Sequence, residues 1–346
     1  MTDARDPLAT PHPPGSIGWV KHLTRHMTGQ AVDTMSAPGG RGRQSARLTL
    51  NDGSTVIATR RSSPERTAAE AALLTTLSHA GAPVPRVIGC LSGLLLQSDV
   101  GRNRLSHAFS QSGSPEEQRT LAAAAMDGLE ACRAAFDATP EADRPKLAGI
   151  GQGLRWAEAY VARPVFLSGD LGIAPPEIDA DALADALAHP PERLTRWNAR
   201  TGRAAVQPDG SVMWHGWDLA GLRGGVEDLA FLVADEWWPL DPTATEAVLL
   251  ERVSRTRHRF ALRVAILIAA NRMADRAERL RAQGMDTDED GGRQARRLDL
   301  PATAPSVVTP HADRLADIAA QDPLTYGFSA WFRASAKRLA ELSAPV

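Results

Sequence analysis

Residues 70–89, EAALLTTLSHAGAPVPRVIG, predict the second half of a helix followed directly by a strand. The helix begins upstream, where Ser63 can cap its first turn and Pro64 suits the first helical position. Gly81 can end it in a left-handed conformation, and the β-branched residues of VPRVIGCL then favour a strand. The apolar face of the helix consists of three leucines, Leu73, Leu74 and Leu77.

Strands are predicted on both sides of this helix. Before it, ARLTLNDGSTVIATRR (46–61) indicates two strands joined at Asp52-Gly53, a dipeptide typical of tight hairpin turns. After it, VPRVIGCL is followed by a second apolar strand, LLLQ. Residues 30–97 are therefore predicted to form a small lobe of the order β-β-α-β-β.

The remainder of the chain is predicted to be mainly helical. The expected helices lie at 114–136, 179–189, 244–282 and 323–342. Residues 284–310 are expected to form a loop between the last two. Two strands interrupt the helical region, in LTRWNARTGRAAV (194–206) and SVMWHGWDLAG (211–221). The sequence thus predicts an α+β protein with a small mixed sheet lobe, one helix in that lobe, and a larger helical lobe.

Composition and charge argue against several functional classes. A net charge of -2 over 346 residues gives no global basic surface for nucleic acid. The longest apolar run, residues 264–270, is too short to span a membrane. Residues 1–16 are polar and proline-rich, and we expect a flexible tail over 1–19 rather than a signal peptide, with a short helix in IGWVKHLTRHM (17–27). Cys90 and Cys132 lie in apolar surroundings; two buried thiols would favour a reducing, cytoplasmic location.

Five stretches resemble, in the same order, segments of the aminoglycoside phosphotransferase and choline kinase family. They are the helix-then-strand segment (70–89), the hinge LLLQSDVG (94–101), the catalytic loop (194–206), the strand of the metal-binding aspartate (211–221) and the helix start GGVEDLAFLVADE (224–236). The resemblance implies a bilobal kinase-like fold. Its N-lobe would span residues 20–100, and its helical C-lobe, residues 101–346, would carry a degenerate catalytic hairpin at 194–221.

Phosphoryl transfer in such enzymes requires a lysine, held by a helix glutamate, that positions the phosphates. The resemblance places Thr59 at the lysine position and Glu70 at the glutamate position. Arg60 and Arg61 adjoin Thr59, but alternation along a strand argues against Arg60 pointing inward as a substitute. Without the lysine, a solvated helix position is the simpler interpretation of Glu70. Two hinge residues are expected on the nucleotide side, Gln97 and Asp99.

The groups that transfer the proton and hold the metal are also replaced. Asn198 stands at the catalytic aspartate position, and an amide has no basic site for a hydroxyl proton. Arg203 stands at the metal-binding asparagine and Gly216 at the metal-binding aspartate, so neither supplies a ligand for Mg²⁺. Asp218 would face the same side of a strand as Gly216 and is the nearest possible substitute. The resemblance therefore implies a pseudokinase.

Three functions remain open from the sequence. The first is a small-molecule or anion-binding or regulatory protein without phosphoryl transfer, in which Arg196, Arg200 and Arg203 bind phosphate or carboxylate without a metal. The second is an active ATP- and Mg²⁺-dependent kinase for an amino sugar, aminoglycoside or choline-like compound, using Asp218 in a rearranged metal site. The third is an interaction protein whose partner covers the cleft. The sequence identifies neither the ligand nor the partner.

Overall fold

The structure is a computed structural model and describes residues 12–37, 45–151, 154–188, 192–283 and 292–342. In the small lobe, the described elements are α1 (Ile17–Thr28), β1 (Val32–Ser36), β2 (Ser45–Leu50), β3 (Thr55–Thr59), α2 (Pro64–His79), β4 (Val87–Leu91) and β5 (Leu94–Ser98). Helix α2 begins as predicted, because the Ser63 hydroxyl accepts from the Arg66 N–H and Pro64 takes the first position.

The strands of the small lobe form one antiparallel sheet in the order β1-β2-β3-β5-β4. Successive side chains alternate between its two faces. One face is apolar and packs on α1 through residues such as Leu48 and Leu96. The register aligns Arg47, Ile57 and Gln97 across β2, β3 and β5 on the opposite face. That second face borders the space between the lobes.

The larger lobe is mainly helical over its described residues. Its elements are α3 (Leu105–Gln111), α4 (Pro115–Ala138), α5 (Leu154–Leu171), α6 (Ala180–Leu187), β6 (Arg193–Thr195), β7 (Ala204–Val206), β8 (Val212–Trp214), β9 (Gly221–Arg223), α7 (Glu227–Val233), α8 (Pro242–Leu250), α9 (Arg255–Gln283), α10 (Arg293–Leu298), α11 (Pro305–Ala319) and α12 (Phe328–Leu342). Strands β7 and β8 form a hairpin, and β6 pairs with β9. One apolar core joins α2 to the helices of this lobe.

The structure confirms the predicted α+β organisation, a small sheet lobe followed by a larger helical lobe. It adds strand β1, which the prediction missed because Val32–Ser36 has one buried residue and no apolar alternation. Helix α5 was also missed. It contains Pro164 in its interior, a residue that normally ends or kinks a helix.

Helix α1 begins at Ile17, the first residue of the short helix predicted in IGWVKHLTRHM, and residues 1–11 of the predicted tail lie outside the described residues. Three other predicted boundaries are wrong. The helix predicted at 244–282 is two helices, α8 and α9, separated at residues 251–254. Of the loop predicted at 284–310, residues 284–291 lie outside the described residues, and the remainder contains α10 and the start of α11, where Pro305 takes a first-turn position that suits proline. The helix predicted at 323–342 begins at Phe328.

The two cysteines differ from the prediction in one respect. Both are free thiols, but only Cys132 is buried, whereas Cys90 is exposed. Cys90 lies on β4, the last strand in the sheet order, so packing covers only part of it. None of the helices in the described ranges is long and apolar enough to cross a membrane.

Candidate functional site

A cavity opens between the two lobes. From the sheet it is lined by Ser45, Arg47, Ile57, Thr59 and Gln97. The loop after β3, the hinge and the segment after it contribute Arg61, Asp99, Val100, Gly101 and Arg104. The larger lobe contributes Gly202, Arg203, His215, Gly216, Leu298 and Asp299. The predicted positions Thr59, Gln97, Asp99, Arg203 and Gly216 therefore converge on one cavity.

The sheet side of this cavity is polar and uncharged around Thr59. The Thr59 hydroxyl lies 3.0 Å from the Ser45 hydroxyl, and the Gln97 amide N–H donates to it over 3.4 Å. Gln97 is buried, and the structure gives its Oε1 no hydrogen-bond partner. Thr59 therefore puts a neutral group where the family lysine would stand, next to an acceptor that a ligand donor can satisfy.

An arginine binds the glutamate that the resemblance pairs with a lysine. The Arg61 guanidinium binds both carboxylate oxygens of Glu70, at 2.6 and 2.7 Å. Glu70 is buried and also accepts from the Trp217 N–H at 2.8 Å, so its prediction as a solvated residue is wrong. Arg60 is exposed. Strand β3 ends at Thr59, so alternation no longer decides where Arg61 points.

The mouth of the cavity carries an ion pair between the sheet and the hinge. Arg47 binds Asp99 through two hydrogen bonds, one of them 2.8 Å long, and also donates to the Gly101 carbonyl. Burial raises the pKa of Asp99, but the bonds from Arg47 and the Gly101 N–H outweigh it and hold that pKa below its usual range. Asp99 is therefore a charged hinge residue already bound to an arginine of β2.

The loop that matches the catalytic loop has a distorted backbone held by one carboxylate. Trp197 and Asn198 have φ values of +57° and +64°, a left-handed conformation that is uncommon for two consecutive non-glycine residues. Asp228 accepts from the Arg196 and Trp197 N–H groups, each at 2.9 Å. The loop is therefore tightly positioned, although Asn198 offers an amide where phosphoryl transfer needs a carboxylate.

Arg196 was predicted to bind an anion, but in the structure it binds backbone carbonyls instead. Its guanidinium is completely buried and donates to the carbonyls of Asn198 and Gly216, at 2.7 and 2.9 Å, and to that of His215. Burial, followed by the charge of Arg203, lowers its pKa to about 10. Arg196 joins the loop to the residues after β8, because both of its terminal nitrogens donate to backbone carbonyls, while its buried Nε has no hydrogen-bond partner.

Arg200 is also bound inside the larger lobe. Its guanidinium contacts Asp235 at 3.2 Å, Glu236 at 3.3 Å and Asp299 at 3.1 Å. These charges raise its pKa above the usual value even though burial lowers it. Of the three arginines predicted to bind an anion, only Arg203 lines the cavity.

Arg203 lies beside Gly216, the residue that the resemblance places at the metal-binding aspartate. Its Nη1 lies 3.3 Å from the position that a Cβ on Gly216 would take. Gly216 has φ +72°, which also disfavours a side chain at this position. A guanidinium carries a permanent charge and cannot ligate a cation. The residues at this end of the cavity therefore do not fit Mg²⁺.

Asp218 lies between two arginines rather than on a strand. Strand β8 ends at Trp214, so the prediction that residues 216 and 218 share one strand face is wrong. The Asp218 Oδ1 is 3.5 Å from both Arg61 Nη2 and Arg203 Nη1. Within the described ranges, no three His, Cys, Asp or Glu residues are grouped to hold a metal ion. Asp218 links the two arginines into one cluster of charged groups.

His215 offers no substitute for the missing base. It lines the cavity beside Arg203, and burial together with the charges of Arg196, Arg104 and Arg203 lowers its pKa to about 3. An imidazole with so low a pKa is neutral near pH 7 but a poor proton acceptor, since catalytic efficiency depends on a pKa near the working pH.

Asp299 closes one side of the cavity and was not foreseen. It follows α10, far along the chain from the catalytic loop, and has φ +53°. Its carboxylate lies 3.4 Å from Arg203 Nε and 3.1 Å from Arg200 Nη1. No local pattern in the sequence signals this contact. Asp228, by contrast, lies within the segment 224–236 that the family resemblance singles out, and Arg61 adjoins the Thr59 position.

No known protein family matches the chain by sequence, and no curated protein does. Solved structures do share its fold. A complex of an amicoumacin kinase with AMP-PNP and Ca²⁺ is 14% identical, covering 78% of this chain and 88% of that chain with a TM-score of 0.50. A choline/ethanolamine kinase family protein from Mesorhizobium loti is 11% identical, covering 87% and 92% with a TM-score of 0.51. A macrolide 2′-phosphotransferase type I is 14% identical, covering 83% and 98% with a TM-score of 0.50.

These likenesses concern the architecture. They show that the chain has the bilobal kinase-like fold, with its sheet lobe, hinge and helical lobe in the predicted order. At such identities a shared fold does not carry an activity with it, because function depends on the residues of the site.

Proposed function

We propose that this protein binds an anionic small molecule in the cleft without a metal ion and does not transfer a phosphoryl group. The observation that carries the proposal is the position of Arg203. Its guanidinium stands 3.3 Å from where the metal-binding side chain would start on Gly216. A fixed positive charge there can neutralise part of a phosphate's charge, as Mg²⁺ does in active enzymes.

The loss of catalysis follows from the same residues. Asn198 cannot accept a proton, and the pKa of His215 is too low for it to serve instead. Removing one member of a catalytic unit can lower a rate by several orders of magnitude, and losses within a unit are not additive. We therefore expect no phosphoryl transfer to any acceptor.

The cleft chemistry favours a phosphorylated ligand, and a nucleotide is its simplest form. Arg61 and Arg203 both approach Asp218, so a phosphate group can contact the two guanidinium groups at once. The Oε1 of Gln97, which has no hydrogen-bond partner, can accept a hydrogen bond from a ligand N–H on the sheet side of the cavity. The amicoumacin kinase of the same fold binds AMP-PNP, which supports a nucleotide here. The two free thiols fit a cytoplasmic protein.

An active kinase using Asp218 is the second candidate. Asp218 lies beside Arg61, on the side of the cleft where Glu70 is bound, which favours this alternative. Its Oδ1 is shielded from solvent and contacted by Arg203 as well as Arg61. Mg²⁺ could bind there only after displacing two permanently charged groups, an unfavourable exchange.

Thermal unfolding with nucleotides tests the proposal. ATP, ADP and pyrophosphate are added at millimolar concentration with either EDTA or Mg²⁺. A ligand at about 100 times its Kd adds about 2.7 kcal/mol to the stability of the native state. We expect stabilisation in EDTA, no further gain with Mg²⁺, and no transfer of labelled phosphate to amino sugars, aminoglycosides or choline.

Arg203→Gln is the decisive variant, and Arg60→Gln is its control. Both remove one arginine charge, but Arg60 is exposed outside the cavity lining. We expect Arg203→Gln to abolish most of the stabilisation by pyrophosphate and Arg60→Gln to retain it. Stabilisation that requires Mg²⁺, or measurable transfer that Asp218→Ala eliminates, would instead establish the active kinase.

A further inference from the structure

We propose that Asp299 is an internal counter-ion of the cleft, which a ligand must displace, and that the cleft therefore selects groups with two or more negative charges. Phosphate dianions and diphosphates would bind, whereas monocarboxylates would not. This inference rests on the proposed anion-binding function and specifies its ligand class. It concerns a residue that reaches the cleft from the far end of the chain.

The first support is geometric. The Asp299 carboxylate contacts Arg203 at 3.4 Å, on the guanidinium that also lies at the Gly216 position. It approaches the catalytic-loop turn closely, because a Cβ on Gly202 would stand 2.6 Å from its Oδ1. Asp299 and the preceding Leu298 both line the cavity. The carboxylate thus occupies the space beside Arg203 that an anionic ligand would use.

The second support is the distribution of charge in the cavity lining. Four arginines line the cavity, Arg47, Arg61, Arg104 and Arg203. Asp99 and Asp299 are the acids of that lining among the described residues. Asp99 is held by Arg47 through two hydrogen bonds, while Asp299 faces Arg203 at a longer distance. Asp299 is therefore the acid whose departure would expose a cationic group to a ligand.

The third support is that Asp299 can leave at limited cost to the interior. Arg200, another of its partners, keeps Asp235 and Glu236 as counter-ions when Asp299 moves. Among the acids of the described ranges, Arg203 would keep Asp218, which it shares with Arg61. Displacement would therefore expose positive charge in the cavity while the buried network stays paired.

The selectivity follows from simple Coulomb reasoning. A monocarboxylate that replaces Asp299 exchanges one negative charge for another and gains no attraction. A dianion gains a second interaction, and its oxygens can reach Arg61 as well as Arg203, which Asp218 holds near each other.

Isothermal titration with pyrophosphate and with acetate, in EDTA, tests the inference. The variants are Asp299→Asn and Asp299→Gly, because asparagine and glycine both tolerate the left-handed backbone at this position. Asp317→Asn is the control, since Asp317 is an exposed acid of α11 paired with Arg333, away from the cavity. It changes the net charge by the same amount.

We expect Asp299→Asn to bind pyrophosphate about tenfold more tightly than the wild type, the change that follows from losing one competing charge-assisted contact. Acetate should bind this variant but not the wild type, and Asp317→Asn should match the wild type with both ligands. Equal pyrophosphate binding by the wild type and both Asp299 variants would overturn the inference and leave the proposed function intact. Weaker binding by the variants would also overturn it, because Asp299 would then position Arg203.

Absence of pyrophosphate binding to the wild type and to both Asp299 variants would instead reject the proposed function itself.

A second experiment uses the wild type alone and so does not depend on whether the variants fold. Hydrogen exchange of the backbone amides at 298–300 should accelerate when pyrophosphate binds, because the carboxylate leaves Arg203. Unchanged or slower exchange there, with pyrophosphate bound, contradicts displacement.

Discussion

At the scale of single residues, the cleft is defined by arginines that pair with nearby carboxylates. Thr59 cannot bind Glu70, yet Arg61 does so from two positions further along, with both of its hydrogen bonds under 3 Å. Arginine suits this role because its planar group binds a carboxylate with two parallel bonds, whereas lysine acts as a point charge. Arg203 adds a second fixed cation where a metal would need a carboxylate.

Restoring the metal-binding aspartate should not restore metal binding. In Gly216→Asp the new carboxylate would form an ion pair with Arg203, while the φ of +72° costs about 1–2 kcal/mol of stability. We expect Gly216→Asn, which has the same shape without the charge, to be the less stable variant. Urea unfolding with and without MgCl₂ measures both effects. A stability gain from Mg²⁺ confined to Gly216→Asp would show that the site accepts a cation.

At the scale of secondary-structure elements, a buried charge network fixes the catalytic-like loop to the helices. Glu236 lies just after α7, and its side chain is completely buried. Its carboxylate contacts Arg200 of the loop and Arg272 and Arg276 of α9. Burial raises the pKa of Glu236, but Arg272, Arg200 and Arg276 together hold it well below its usual range. The position of the loop therefore depends on α9, a helix with no residue in the cavity lining.

Neutralising Glu236 should destabilise the protein far more than neutralising an exposed acid. Glu236→Gln leaves three arginines short of a counter-ion, and we expect a loss of about 3–5 kcal/mol in the free energy of unfolding. Asp317→Asn breaks an exposed ion pair with Arg333 and should change stability by less than about 1 kcal/mol. Chemical denaturation of both variants decides. Similar losses would mean that the network contributes no more than a surface pair.

At the scale of the whole molecule, the two lobes share one apolar core. Leu73, Leu74 and Leu77 of α2 belong to the same buried cluster as the helices of the larger lobe. The apolar face of the small-lobe sheet forms a separate buried cluster with α1. The small lobe is therefore attached to the larger lobe through α2. Because the two lobes share this core, buried polar groups of the larger lobe affect the stability of the whole chain.

Stability should fall as the pH drops below about 6.5, and His311, together with His215, should account for the first part of this loss. His311 of α11 is buried between Arg276 and the Ala234 carbonyl, 3.0 Å from each. Burial, then the charges of Arg276 and Arg314, hold its pKa well below 6.5. Protons therefore bind the unfolded chain preferentially below pH 6.5, and each pH unit can cost up to about 1.4 kcal/mol.

His311→Gln provides the test, because an amide can accept from Arg276 and donate to Ala234 without titrating. Between pH 7 and pH 5 we expect the stability of this variant to fall by about 2 kcal/mol less than that of the wild type. His26→Gln, at an exposed position of α1, is the control and should follow the wild type. Glu236, whose pKa is lowered, should contribute to the loss only below its ordinary pKa near 4.5. Parallel curves for wild type and His311→Gln would exclude His311 as the titrating group.

Local sequence signals determined the architecture. The capped helix α2, the Asp52-Gly53 hairpin and the apolar strands on either side each follow from contacts between near neighbours, so their patterns can be read along the chain. The identities of Thr59, Asn198, Arg203 and Gly216 were also enough to question phosphoryl transfer, because an amide, a guanidinium or a missing side chain has the same limits in any fold.

The tertiary structure alone decided which charges meet in the cleft. Whether Arg61 or Arg60 points inward depends on where β3 ends, and whether Arg196 faces a ligand depends on carbonyls at residues 215 and 216. Asp299, which follows α10, contacts Arg203 although the two residues are 96 positions apart in the chain. The physical reason is the distance along the chain between the residues that interact. Helices and turns depend on residues a few positions apart, whereas burial and ion pairing depend on groups that the chain brings together from a hundred positions away.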